Sequence, residues 1–288
     1  LVWLLYGAAA LLVAYLLVSL ALTYVVQQIP RHPVVDVPDW GRLVDTRIPA
    51  SEGGSLEVWR IEPAGVPMGM VVFAHGWGRN RDRMVQRARL FGRWGYTTVI
   101  HSARDHGNSS PRRFMNAAKF AEDIESVLAW LDQPVILYGH SAGAGGAIIA
   151  AARNPEQIKL LFLEACYADT KEALLSLYRW VNPIFGKLFG PMILFWMNLF
   201  YRNRLRSVSP EVLAPDLQMP VMLVHGERDR RFPLAFARRL HAALPPERRE
   251  LFVAPMVGHS DSSLAAEYPA AVKKFLDRYG PERDGPDK

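Results

Sequence analysis

The chain has 288 residues, half of them hydrophobic, a formal net charge of +6 and a single cysteine, Cys166. That length suits one large α/β unit with an appendage and a sizeable core, and a lone cysteine excludes an intrachain disulfide framework. The basic residues are spread over 79–93, 202–206 and 228–249 without a nucleic-acid-binding motif, so they read as solvated faces with some attraction for anionic lipid head groups, not as a nucleic-acid surface.

Much of the hydrophobicity has one address. Residues 1–26 contain no Asp, Glu, Lys, Arg or His, and as a helix they would extend about 39 Å, more than the roughly 30 Å of a bilayer's hydrocarbon core. Ser19 and Ala21 carry the small side chains of a signal-peptidase site, but the uninterrupted length favours a retained single-pass N-terminal anchor, with the lipid bilayer as its partner. Residues 27–41, with Pro30, Pro33 and Pro38, read as an extended linker that lifts the globular part off the membrane.

From there strands and helices alternate. Segments 43–48 and 56–61, on either side of Glu52-Gly53-Gly54, predict a hairpin. A buried strand follows at 70–74, a helix at 84–94 and a strand at 97–101. The spacing of Phe120, Ile124, Val127, Leu128 and Leu131 predicts a helix over 119–131. Strands at 134–138, 160–163, 221–225 and 250–254 and a closing helix at 265–279 complete the pattern of a mostly parallel, doubly wound α/β sheet. The alternation stops between 168 and 207. There, residues 174–201 are rich in Leu, Phe, Trp and Met and are broken by Pro183, Gly186, Gly190 and Pro191. This stretch is expected to be an inserted helical cap that packs on the sheet, lines an acyl pocket or dips into the bilayer. The expected organisation is therefore an anchor (1–26), a linker (27–41), a core in two pieces (42–167 and 208–280) enclosing the cap (168–207), and a polar tail (281–288).

The chemistry centres on Gly139-His140-Ser141-Ala142-Gly143, which follows the apolar run Pro134-Val135-Ile136-Leu137-Tyr138 and precedes a small-residue, helix-compatible stretch. A strand, then G-x-S-x-G, then a helix is the context of a nucleophile elbow, with the serine at the tip of a strained turn. A serine hydroxyl needs a base to take its proton, and the base works better when a carboxylate holds its tautomer. Asp229 and His259 each follow a predicted strand, which gives the order Ser, Asp, His at carboxyl ends of strands, where open α/β sheets place their sites. Glu227, Asp261 and Glu164 are reserve acids. No cluster has metal-ligand spacing and no glycine-rich phosphate loop is present, so neither a metal nor another cofactor is expected.

On these residues the chain resembles the α/β-hydrolase superfamily over 43–279. The resemblance implies an α/β-hydrolase fold with Ser141 as nucleophile, Asp229 as acid and His259 as base. It maps the oxyanion loop onto His75-Gly76-Trp77-Gly78, with the backbone N–H groups of Trp77 and Ala142 as oxyanion donors. His75, Gly76, Gly78, Gly139, His140 and Gly143 would then shape the loop and the elbow, and Arg104-Asp105-His106-Gly107-Asn108-Ser109 would be a structural turn. The expected function is a membrane-anchored serine hydrolase (esterase, lipase or thioesterase-like) that cleaves esters or thioesters of lipid-like or acylated substrates through an acyl-enzyme. A peptidase, an acyltransferase or a catalytically silent membrane scaffold are the alternatives on the same fold.

Overall fold

Three neighbouring apolar runs share one rule. Val71 and Phe73, Ile136 and Tyr138, and Leu160 and Phe162 point to one layer of the molecule. Val72 and Ala74, Leu137, and Leu161 and Leu163 point to the other. Both sets are buried, so these strands read as continuous hydrophobic stretches instead of alternating ones.

In the computed structural model, which describes residues 1–280, the chain opens with helix α1 (Val2–Val25). It continues through β1 (Arg42–Pro49), β2 (Ser55–Glu62), β3 (Met70–Ala74), α2 (Val85–Arg93), β4 (Thr97–His101), α3 (Ala117–Leu131), β5 (Val135–His140), α4 (Ala142–Arg153) and β6 (Ile158–Glu164). Three helices follow, α5 (Thr170–Val181), α6 (Pro183–Leu188) and α7 (Gly190–Phe200), then α8 (Pro210–Leu213), β7 (Val221–Gly226), α9 (Leu234–Ala243), β8 (Arg249–Ala254) and α10 (Tyr268–Tyr279). The polar tail expected at 281–288 lies outside the described residues.

The strands form one eight-stranded sheet in the order β1-β2-β4-β3-β5-β6-β7-β8. The β1–β2 hairpin is antiparallel, β2 joins β4 antiparallel, and every other pairing is parallel. Helices α3, α4 and α9 cover one face with Ile124, Val127, Ala147, Ile148 and Leu240. Helices α2 and α10 cover the other with Val85, Ala88, Phe91, Val272 and Phe275. This is the mostly parallel, doubly covered sheet of an α/β-hydrolase fold. It brings the carboxyl ends of β3, β5, β7 and β8 to one edge of the molecule.

Two segments differ from expectation. The linker has no regular secondary structure, yet it is strapped to the body and does not stand off it. Arg31 donates to the carbonyls of Gly107 and Ser109 at 2.7 and 2.9 Å, Asn80 donates to those of His32 and Pro33, and the Val35 N–H donates to Asp82. Helix α1 is long and apolar enough to cross a bilayer, and its first half is exposed. Its second half, however, lies against α7. Tyr15 donates to the Leu188 carbonyl at 2.6 Å and stacks on Phe189, the Trp196 indole donates to Ser19 at 3.0 Å, and Tyr201 donates to Gln27 at 2.6 Å. Ser19 and Thr23 are completely buried and also donate back to carbonyls one turn earlier in the helix. Tyr15, Ser19, Thr23 and Gln27 recur every four residues, a polar stripe that fixes which side of an otherwise uniform helix meets its neighbour. The segment expected to be an anchor thus packs on the helices expected to form the cap.

Candidate active site

Strand β5 ends at His140, and Ser141 turns the chain into α4 with φ +55° and ψ −117°. The flanking glycines are required by space. A Cβ on Gly139 would lie 2.6 Å from Ala144 Cα and the Gly143 carbonyl oxygen, and one on Gly143 would lie 2.4 Å from the carbonyl oxygens of Ala74 and His75. That second contact presses the first turn of α4 against the end of β3, which brings the 75–78 loop beside the serine. The Ser141 N–H donates to the Glu164 carbonyl at 2.9 Å and secures the elbow to β6.

The structure brings together the three side chains expected from strand ends. His259 Nε2 is 2.9 Å from Ser141 Oγ, and His259 Nδ1 is 2.7 Å from Asp229 Oδ2. A carboxylate only accepts, so Nδ1 carries the imidazole proton and Nε2 is left to accept from the serine hydroxyl. The other Asp229 oxygen accepts from the N–H groups of Arg231 and Phe232 at 2.8 and 2.9 Å, and His225 lies 3.5 Å from Oδ2. Phe232 packs edge-on against His259, with ring centroids 5.0 Å apart. Asp229 and His259 are both buried, which strengthens their interaction relative to water.

The loop expected to supply the oxyanion donors hangs on two neutral histidines. His75 Nε2 accepts from the Ala103 N–H at 2.9 Å while its Nδ1–H donates to the Gly76 carbonyl. His106 Nε2 accepts from the Gly78 N–H at 3.2 Å while its Nδ1–H donates to the Arg104 carbonyl. Burial pushes His75 well below the ordinary imidazole value, with His106 beside it adding to the shift, and pushes His106 down to about 4. Each ring is therefore neutral and keeps a lone pair for its acceptor bond. The turn that holds His106 is itself fixed by Arg104, which bonds Asp123 through backbone and side chain. Ala142 begins α4, so its N–H has no intrahelical partner and lies at the positive end of the helix dipole.

Several supporting groups gave no motif in the sequence. Glu164, a reserve acid, does not face His259. It pairs with Arg87 through both carboxylate oxygens and accepts from Tyr138 at 2.8 Å, with Arg87 and Glu164 at 2% and 0% side-chain exposure. Arg87 also donates to the Ser260 carbonyl at 3.0 Å, tying α2 to the loop of His259. Its place among Met84, Ala88 and Phe91 on the buried side of that segment was the available signal. His140 Nε2 contacts the His259 carbonyl at 3.2 Å, so it braces the same loop as well as the elbow. Of the other reserve acids, Glu227 accepts from the Met256 N–H and Asp261 is exposed.

Ser141 and His259 open into a cavity of about 240 Å³. Its walls are Trp77 and Ala142 beside the serine, Leu174, Leu177 and Tyr178 of α5, Met197 of α7, and Val26 and Gln27 directly after α1. The segment expected to be an anchor therefore closes part of the site. No Asp or Glu side chain lines the cavity among the described residues.

The buried histidines predict acid lability. His101 and His106 titrate near 4 when folded and near their ordinary 6.5 when unfolded, because burial disfavours the imidazolium. The unfolded chain thus binds more protons between those values. The contribution of these two histidines is level above about pH 6.5 and declines as pH falls towards 4, by about 3 kcal/mol per histidine over the full window, more than the opposing gain from buried Asp123, whose carboxyl is raised to about 6. Urea unfolding at pH 7.5 and pH 5 is expected to show a clearly lower midpoint at pH 5. Equal midpoints would contradict the burial of neutral imidazoles.

A model of the serine aminopeptidase S33 family matches residues 65–212. Monoacylglycerol lipase of Mycolicibacterium smegmatis is 25% identical over 242 residues, covering 70% of this chain and 84% of that protein. Among solved structures, an esterase of Pyrococcus furiosus superposes with a TM-score of 0.69 at 20% identity, over 88% of this chain and 98% of its own. A membrane phospholipase A, described as a bacterial virulence factor, superposes with a TM-score of 0.63 at 19% identity, over 99% of this chain and 97% of its own, a share that takes in α1. At these identities the two structural likenesses are likenesses of fold.

Proposed function

Because this chain belongs to the serine aminopeptidase S33 family of α/β-hydrolases, we propose that it is a membrane-anchored serine hydrolase that cleaves carboxylic ester or thioester bonds of lipid-like substrates. The observation that carries this reading is His259 bridging Ser141 and Asp229 at 2.9 and 2.7 Å on the wall of an apolar cavity. Ser141 Oγ attacks the acyl carbonyl as its proton passes to His259 Nε2, and Asp229 stabilises the imidazolium that forms. The N–H groups of Trp77 and Ala142 hold the developing oxyanion, donors worth about 3 kcal/mol each in such sites. Collapse of the tetrahedral intermediate expels the alcohol or thiol, which takes the proton from His259. Water then repeats the sequence on the acyl-enzyme and releases the acid.

The cavity walls favour an acyl chain over a peptide amino terminus. An α-ammonium group calls for a carboxylate partner, and the lining offers Leu, Met and aromatic side chains instead. The apolar span of α1 favours a membrane location. So does the face of the cap, where Trp180, Val181, Ile184, Leu188, Phe195, Leu199 and Phe200 are exposed. Hydrolysis of p-nitrophenyl esters from acetate to palmitate by detergent-purified full chain tests the proposal. An optimum at medium or long chains, absent in Ser141→Ala, is expected. An acetate optimum with steady decline thereafter would remove the acyl-pocket reading.

A further inference from the structure

We infer that Arg231 is a specificity residue that binds an anionic group, of phosphate type, on the alcohol side of the ester, so that acidic lysolipids are preferred over neutral monoacylglycerols. This inference rests on the hydrolase reading above and deepens it.

Most polar members of the cavity wall are accounted for by bonds within the protein. Gln27 accepts from Tyr201 and donates to the Thr23 carbonyl. The Asn116 side chain accepts from the Lys119 N–H, and Thr170 accepts from Ser209. Ser141 and His259 bond each other. Arg231 alone brings a full charge to the wall, and no carboxylate pairs with its guanidinium among the described residues. The group is half-buried and lies over the Trp180 ring at 4.3 Å, a contact that orients a cation without neutralising it.

The backbone that presents Arg231 is fixed by the site itself. Its N–H donates to Asp229 Oδ1 at 2.8 Å, so the carboxylate that orients His259 also sets where Arg231 begins. Asp229 is occupied by His259 and two N–H groups, and the other carboxylate whose field reaches Arg231, Asp261, is exposed to solvent. Arg79, exposed on the loop that follows Gly78, acts on Arg231 as a like charge. A guanidinium without a carboxylate partner on the wall of an apolar cavity is a place that an incoming anion would stabilise, and Arg forks match phosphate geometry bidentately.

The test uses the full chain carrying Ser141→Ala in neutral detergent micelles, with two ether lipids of the same oleyl chain. One is the 1-O-alkylglycerol and the other its 3-phosphate. Neither is cleavable, so binding is read without turnover. Inorganic phosphate is added separately, to distinguish recognition of the lipid head group from capture of the free ion. The phosphate lipid is expected to bind about 10- to 100-fold more tightly, the range of a charge-assisted contact. Adding Arg231→Gln should collapse that ratio towards one, and Arg231→Lys should restore part of it. Equal binding of the two lipids by the Arg231 protein, or a ratio that survives Arg231→Gln, would overturn the inference. Hydrolysis of the corresponding oleoyl esters by the Ser141 protein is measured in parallel. Its absence would overturn the hydrolase reading while the binding ratio still decides the role of Arg231.

Discussion

Asp229→Asn is expected to lower kcat about 10⁴-fold on a p-nitrophenyl ester while leaving the folded protein intact. The size of the effect follows from which atoms the amide can replace. Asn keeps an oxygen that accepts from the Arg231 and Phe232 N–H groups, as Asp229 Oδ1 does now. Its NH₂ then faces His259 Nδ1, where Asp229 Oδ2 presently accepts at 2.7 Å. A donor in that position drives the imidazole proton to Nε2, and Nε2 can no longer take the proton of Ser141. Geometry is preserved and the tautomer is wrong. A loss smaller than tenfold, with an unchanged melting curve, would remove Asp229 from the orienting role.

The second large effect is on stability. Arg87→Ala is expected to destabilise the protein by about 3–5 kcal/mol, because it leaves the Glu164 carboxylate buried without its cation. Arg87→Met combined with Glu164→Leu should recover much of that loss, since neither charge of the pair then remains in the interior. The single variant should also lose activity, because Arg87 holds the Ser260 carbonyl next to His259. Urea unfolding of the three proteins separates these effects. A cost below 1 kcal/mol for Arg87→Ala would mean that water reaches Glu164 when the arginine is removed.

The contrast between these two sites shows what a sequence makes legible. Ser141, Asp229 and His259 stand out as candidates in the sequence because each follows an apolar strand, and strand ends are visible as transitions from β-branched runs to glycine-bearing loops. The sheet was readable for the same reason, since strands buried on both faces stand out as continuous apolar segments. Arg87 and Glu164 meet across 77 positions of sequence, and although Arg87 shares the buried side of its segment with Met84, Ala88 and Phe91, nothing local names its partner. Helix α9 leaves little signal in the sequence because it buries little apolar surface, chiefly Ala237 and Leu240. The closing helix begins later than expected, at Tyr268, with Pro269 in its first turn, where proline's fixed φ is an asset. For α1, uniform hydrophobicity marks a helix long enough to cross a bilayer but hides the stripe of Tyr15, Ser19, Thr23 and Gln27 that docks it on 188–201. The prolines of the linker forecast an extended chain but not the Arg31 and Asn80 bonds that strap it down.

The most direct test of the central claim is labelling of the detergent-solubilised full chain with a fluorophosphonate, followed by peptide mass spectrometry. The arrangement of Ser141, His259 and Asp229 predicts a single adduct on Ser141, abolished in Ser141→Ala and strongly slowed in Asp229→Asn. Equal labelling of the wild type and Ser141→Ala would contradict it.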